Sequence, residues 1–330
     1  MENKEKKFYI TTPIYYVNDV PHIGHAYTTV ICDTIANFNK WLGNKVNFLT
    51  GTDEHGQKVE KSALKANIDP QTFTNNVSKS FKKLASKLEI NNTDFIRTTE
   101  DRHIKSVKHL WNILVNKGDI YIDKYSGWYS IRDEAFYSND EIIEDKSGKK
   151  LAPNGSEVEW LEEPSYFFKL SSWQDKLLKF YEKNPDFISP KSRYNEVLSF
   201  VNGGLEDLSI SRTTFNWGIQ VPDNDDHVIY VWLDALTNYI SALDYPNKDS
   251  KNWKSFWPAD IHVVGKDILR FHAVYWPAFL MSAGLEVPRK IYAHGWWTVD
   301  GKKMSKSTGN VVSPEVIIDK YGLDQFKYFL

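Results

Sequence analysis

The chain has 330 residues, of which 41% are hydrophobic and 25% charged, with a formal net charge of −2. This balance excludes a disordered or collagen-like chain, and the near-neutral charge confines any phosphate-binding surface to a local patch. Cys32 is the single cysteine, which excludes internal disulfides and a cysteine-rich zinc knuckle; no stretch approaches the length of a membrane span, so a cytoplasmic address is expected.

In chain order, Lys7 to Tyr16 (KFYITTPIYY) reads as one buried strand, rich in β-branched and aromatic residues. A turn at Asn18-Asp19-Val20-Pro21 leads into a helix from near Gly24 to Leu42. Its apolar face is expected to carry Val30, Ile31, Ile35, Phe38, Trp41 and Leu42. Lys45 to Thr50 reads as the next strand, so strand, helix and strand predict a parallel sheet. From roughly 118 to 225 the alternation is lost among aromatic and charged residues, with turns at Asn154-Gly155 and Asn202-Gly203-Gly204. It returns with a strand over Asp260 to Val264, a helix from Ile268 to Ala283 kinked at Pro277, and a strand over Lys290 to Ala293. Ser313-Pro314-Glu315 opens a further helix, with serine as its N-cap. The expected fold class is α/β, a Rossmann-like parallel sheet interrupted by a connective insertion. Residues 1–117 and 226–330 form its two halves and 118–225 the insertion.

Two short motifs carry the chemistry. Pro21-His22-Ile23-Gly24-His25 falls at a strand-to-helix turn on the C-terminal edge of the sheet, where such folds bind ligands. The helix N-terminus offers free N–H groups to phosphate, Gly24 lets a nucleotide approach the backbone, and His22 and His25 can both donate to phosphate oxygens. Lys303-Met304-Ser305-Lys306-Ser307 follows a hairpin turn at Asp300-Gly301, and its lysines can neutralise charge on a departing pyrophosphate. Alone, the first is equally compatible with ordinary histidines, and the second reads rather as a solvated basic loop. Together, in this order and context, they resemble the two hallmark motifs of class I aminoacyl-tRNA synthetases.

Further runs make the resemblance closer. Thr12-Pro13-Ile14-Tyr15-Tyr16-Val17-Asn18, Gly51-Thr52-Asp53-Glu54-His55-Gly56 and Tyr230-Val231-Trp232-Leu233-Asp234-Ala235-Leu236-Thr237-Asn238-Tyr239 are similar to the methionyl members. So are Gly265-Lys266-Asp267-Ile268, Phe271-His272, Trp276-Pro277 and His294-Gly295-Trp296. The resemblance covers nearly the whole chain and implies ATP-dependent activation of L-methionine to an adenylate, followed by transfer to the acceptor end of tRNA(Met). It implies His22, His25, Lys303 and Lys306 as catalytic residues, with Gly24, Gly295, Trp296 and Val312 lining the adenosine site. It implies a methionine pocket of Ile14, Tyr16, Trp232, Ala235, Tyr239, Ile268 and His272, with Asp53 on the substrate ammonium. A polarizable thioether packs well against such rings.

ATP is expected to bring Mg²⁺. Many methionyl enzymes carry a cysteine-ligated zinc in the insertion; the corresponding Gly127-Trp128-Tyr129 and Asp133-Glu134-Ala135-Phe136-Tyr137 contain no cysteine, so the chain resembles the zinc-free subgroup and no metal ligand is expected. The insertion is too short for the hydrolytic editing domain of the leucyl group, and Cys32 alone cannot form the catalytic zinc site of the cysteinyl enzymes. The helical anticodon-binding domain of the family is expected to be absent. The alternative reading is an impaired synthetase-like fragment or paralogue that only binds ATP or amino acid; the intact motifs speak against it.

Overall fold

The computed structural model describes residues 6–17, 20–133, 135–145, 147–295, 298–299, 302–303 and 312–330. The first half runs β1 (Lys7–Thr11), β2 (Tyr15–Tyr16), α1 (Ile23–Trp41), β3 (Lys45–Asp53), α2 (Gln57–Lys65), α3 (Pro70–Lys87), β4 (Asp94–Arg97) and α4 (Asp101–Asn116). The middle comprises β5 (Ile120–Ser130), β6 (Ala135–Tyr137), β7 (Ile143–Glu144), β8 (Lys150–Leu151), β9 (Glu159–Phe168), α5 (Gln174–Lys183), β10 (Ile188–Ser189), α6 (Lys191–Asn202), β11 (Leu208–Ser209), β12 (Ser211–Arg212), β13 (Gln220–Val221) and β14 (Asn224–Ile229). The last part holds α7 (Val231–Ser241), α8 (Lys251–Phe256), β15 (Ile261–Gly265), α9 (Trp276–Ser282), β16 (Ile291–His294), β17 (Thr298–Val299), β18 (Lys302–Lys303), α10 (Pro314–Tyr321) and α11 (Leu323–Phe329).

The central sheet is parallel throughout, in the order β10-β16-β15-β1-β3, with β2 and β4 also paired to β3. The single strand expected over Lys7 to Tyr16 is interrupted. Pro13 has no N–H to give to a ladder, so β1 ends at Thr11 and the strand line resumes as β2. Thr12 bridges the gap, its N–H donating to the Leu49 carbonyl at 3.0 Å and its hydroxyl to Thr50 at 2.8 Å. Gly51 in β3 admits no side chain, because a Cβ there would stand 2.1 Å from the Ile96 carbonyl oxygen of β4. One strand of the sheet, β10, comes from within the 118–225 segment. The rest of that segment builds an antiparallel sheet in the order β11-β9-β5-β6 and a smaller one in the order β12-β14-β13. At its cysteine-free tip, Ser130 and Tyr137 donate to Asp133 at 2.9 and 3.0 Å, and Ser156 donates to it as well.

The expected face of α1 holds at Val30, which is buried, and at Ile31 and Ile35, which pack half-buried against the core, and it fails in the last turns. Ala26, Cys32 and Ala36 are fully buried, whereas Phe38, Trp41 and Leu42 are 57, 80 and 54% exposed. Close packing of a helix on a sheet selects small side chains, so the larger apolar residues of the last turns lie outward. The helix expected over Ile268 to Ala283 also departs from plain α. A 3₁₀ turn (Lys266–Ile268) and a π turn (Phe271–Tyr275) precede α9. Pro277 cannot donate to the Ala273 carbonyl one turn back, and the Tyr181 hydroxyl donates to that oxygen instead, at 2.7 Å. Ser313 caps α10 by position, without a side-chain hydrogen bond.

Candidate active site

His22 is the N-cap of α1, in extended conformation, and follows β2 in the chain. Its Nδ1 accepts from the Gly24 N–H at 3.1 Å, and the His22 N–H donates to His25 Nδ1 at 3.0 Å. Two first-turn donors are thus satisfied by imidazoles in place of the usual hydroxyl and carboxylate. The rings stack with centroids 3.9 Å apart. Because each Nδ1 is an acceptor, the proton of each neutral ring sits on Nε2. Burial lowers the pKa of His22, and burial together with the neighbouring His22 lowers that of His25 well below the ordinary value. Both rings are therefore neutral donors at pH 7. Gly24 serves this geometry directly: a Cβ would lie 2.9 Å from His22 Cε1. Tyr15 and Phe81 pack edge-on to the His25 ring, at 4.8 and 5.2 Å.

The strand β2 serves two neighbouring places. Tyr15 faces His25, while Tyr16 pairs in register with Asp53 at the end of β3. Asp53 is 8% exposed. Ile14, half-buried, lies beside Gly51, whose added Cβ would be 3.0 Å from Ile14 Cγ2. On α7, Trp232, Ala235 and Tyr239 form one stripe, as their spacing requires, and only Trp232 on this helix is incompletely buried.

The π turn brings Phe271 and His272 against that stripe. Trp232 stacks flat on Phe271, centroids 3.8 Å apart, and lies edge-on to His272 at 6.2 Å. His272 Nδ1 donates to the Ile268 carbonyl at 2.9 Å, so Nε2 accepts from the Tyr239 hydroxyl at 2.7 Å. Burial pushes the His272 pKa down to about 4. Both ring nitrogens are engaged within the protein, so His272 presents its ring and not an unengaged polar tip. Tyr239 also stacks on the buried His262 at 4.0 Å.

The remaining expected residues divide in two. Val312 accepts from the Ile23 N–H at 3.3 Å, tying the chain just after the lysine motif to the first turn of α1. Gly295 is exposed and accepts from His294 Nδ1 at 2.8 Å; His294 Nε2 in turn meets Thr28 of α1 at 2.8 Å. Lys303 is placed by its backbone in a hairpin, β18 pairing with β17. Its side chain, together with Trp296, Met304, Ser305, Lys306 and Ser307, lies outside the described residues, as do Asn18, Asp19, Glu134, Asp300 and Gly301.

Three features were not read from the sequence. Phe271 is part of the aromatic wall. Glu54, its side chain fully buried, accepts from Nε and Nη2 of Arg97 at 2.7 and 2.8 Å and from the Thr99 hydroxyl at 2.6 Å. Asp234, also fully buried, receives His55 Nδ1 on one oxygen and His103 Nε2 on the other, each at 2.6 Å. Burial alone would favour the neutral acid; the two imidazoles outweigh it and hold the Asp234 carboxyl below its ordinary value. Among the described residues, no group of three His, Cys, Asp or Glu could hold a metal ion, and no helix is long and apolar enough to cross a membrane.

A parallel Rossmann-like sheet, with an imidazole pair capping the helix after its first strand, defines the catalytic fold of the class I tRNA synthetases. The family model described as tRNA synthetases class I (M) matches residues 8–330, and the chain belongs to that family. It is 64% identical over 323 residues to the methionine–tRNA ligase of Rickettsia bellii (strain RML369-C), covering 98% of this chain and 62% of the relative. It is 54% identical to that of Mesorhizobium japonicum over 324 residues, with the same coverage of 98 and 62%. The chain thus spans about 62% of the length of these relatives. Among solved structures, it resembles Mycobacterium tuberculosis methionyl-tRNA synthetase in complex with methionyl-adenylate, with a TM-score of 0.96 and 51% identity, covering 98% of this chain and 64% of the other. The apo form of that enzyme gives 0.85 at 46% identity, covering 100 and 62%.

Proposed function

We propose that the chain is the catalytic region of an enzyme that activates L-methionine with ATP and transfers it to the acceptor end of tRNA(Met). The observation that carries this reading is the reciprocal cap of His22 and His25, which leaves two neutral Nε2–H donors beside the N-terminus of α1. The methionine carboxylate attacks the α-phosphorus of ATP, the bond to the β-phosphate oxygen breaks, and pyrophosphate leaves. Such a reaction needs in-line positioning and stabilisation of phosphate charge more than covalent help. His22 and His25 donate to the α- and neighbouring phosphates, and the helix N-terminus adds its partial positive charge. Lys303 and Lys306 serve the pyrophosphate side, and Gly24, Gly295, Trp296 and Val312 the adenosine. Mg²⁺ enters as the counter-ion of ATP.

Tyr16, Ile14 and Ile268 line the amino-acid site beside the wall of Trp232, Ala235, Tyr239 and His272, and Asp53 holds the ammonium group. Residues 118–225 form the connective insertion between halves 1–117 and 226–330 while lending β10 to the central sheet, and the protein acts in the cytoplasm. The test is ATP–pyrophosphate exchange with methionine, leucine, cysteine and homocysteine run in parallel. Exchange with methionine at the highest kcat/KM is expected. Exchange led by leucine or cysteine, or none from a folded chain, overturns the reading.

A further inference from the structure

Asp234 is an unusual residue to bury. It is 0% exposed, as is His103, and His55 is 6% exposed. A carboxylate carried into the interior with two imidazoles is a weak source of stability, because desolvation offsets most of the attraction. What such a cluster supplies is orientation. Asp234 joins three separate pieces of the chain: α7, on which it sits, α4, through His103, and the turn after β3, through His55. Asp53, the last residue of β3, leads into that turn. On α7, Asp234 points about 160° away from Trp232, since two residues turn a helix by about 200°. The stripe of Trp232, Ala235 and Tyr239 therefore faces one way, and its rotation is fixed from the opposite face by Asp234. Trp217 lies edge-on to the outer side of the His55 ring at 5.6 Å, and its Nε1–H donates to the Glu54 carbonyl at 2.5 Å, closing the turn from that side. The neighbouring Glu54 is held by Arg97 and Thr99. His103 Nδ1 has no hydrogen-bond partner among the described residues, so that ring is committed to Asp234 alone.

We propose that Asp234 is a positioning residue of the amino-acid site: by gripping His55 and His103 it sets Asp53 at the correct height against the aromatic stripe of α7, and so governs recognition of the substrate's α-ammonium group without touching it. This rests on the assignment of Asp53 to the ammonium. The two histidines carry their hydrogens on the nitrogens that face Asp234, because a carboxylate only accepts. Asp234→Asn turns one of those acceptors into a donor, so one imidazole must withdraw or move its proton to the far nitrogen, and the charge that held both rings is lost either way.

The experiment compares two ligands of the full-length protein in the exchange assay. One is L-methionine, read as KM; the other is 4-(methylthio)butanoate, the same acid without the ammonium group, read as an inhibition constant. The inhibition constant divided by the KM measures ammonium recognition. Asp53→Asn is expected to collapse the ratio, which tests the underlying assignment. Asp234→Asn and His55→Ala are expected to lower it about tenfold, through a higher KM for methionine, with KM for ATP unchanged. His55→Asn places an amide nitrogen where Nδ1 stands and is expected to keep the ratio within about threefold of the parent. If Asp234→Asn fails to fold, the pair of His55 variants decides.

A ratio preserved in folded Asp234→Asn, while Asp53→Asn collapses it, overturns the proposal and leaves the Asp53 assignment standing. Equal weakening of both ligands in His55→Ala also overturns it, because that is what general loosening would produce. A ratio untouched by Asp53→Asn removes the assignment and the proposal together.

Discussion

Replacing Gly24 by alanine isolates the contribution of the histidine cap. The new Cβ would stand 2.9 Å from His22 Cε1. Carbon atoms pack at about 3.5–4.0 Å, so the ring must withdraw by about 0.6 Å or more. The Gly24 N–H to His22 Nδ1 bond, now 3.1 Å, then stretches beyond useful length. Loss of that cap costs about 1 kcal/mol, and alanine's advantage over glycine in a helix returns about 0.5–1 kcal/mol. Stability therefore changes by less than about 1 kcal/mol. Activity changes more, because His22 Nε2 moves with the ring. A hydrogen bond to a charged oxygen contributes about 1.5–3 kcal/mol, which is about 10- to 150-fold in kcat/KM for ATP. Pyrophosphate exchange at varied ATP, beside a thermal melt, measures both quantities. Near-parental kcat/KM for ATP in a stable Gly24→Ala protein would refute the role given to the cap.

Three further outcomes are expected. His272 is buried with its pKa at about 4 against an ordinary 6.5, so the unfolded chain binds the proton first as pH falls; the stability it contributes is complete above 6.5 and is lost on acidification towards 4. Between pH 7 and 5 that loss is about 2 kcal/mol, and urea unfolding of His272→Gln should show a correspondingly shallower pH dependence; an unchanged slope contradicts the assignment. Gly51→Ala sets a Cβ 2.1 Å from the Ile96 carbonyl oxygen and should destabilise by about 3 kcal/mol or more, read as a lowered urea midpoint; a parental midpoint would show that β3 and β4 are not paired as described. Arg97→Gln leaves the Glu54 carboxylate buried without its cation and should cost about 3–5 kcal/mol, whereas a loss below about 1 kcal/mol would mean that water reaches Glu54.

How much was legible in the sequence depended on range. The histidine motif, the strand that precedes it and the helix it opens are local, and turn chemistry with periodicity placed them. The stripe on α7 followed from spacing alone once Trp232 was put on a helix. The face of α1 was read correctly at Val30, Ile31 and Ile35 but not in its last turns, because periodicity weights large apolar residues, whereas the sheet selected Ala26, Cys32 and Ala36. The π turn before α9 was visible only as a kink, since the hydroxyl that replaces Pro277 as donor belongs to Tyr181, 92 residues away from its acceptor. The Asp234 cluster was invisible for the same reason: its histidines lie 179 and 131 residues distant, and a lone aspartate in an apolar helix gives no local sign of either. Pairing of β10 with β16 likewise brings together Ile188 and Ile291, which no local pattern connects.

The central claim is that this chain joins methionine to the α-phosphate of ATP at the His22–His25 pair, and trapping the product tests it most directly. The purified chain would be incubated with ATP, Mg²⁺ and methionine, quenched within one turnover and analysed by mass spectrometry for methionyl-adenylate, beside His25→Ala. The account predicts stoichiometric adenylate from the parent and a loss of about 100-fold or more in its rate of formation in the variant. A folded parent that forms no adenylate, or a His25→Ala protein that forms it at the parental rate, would contradict it.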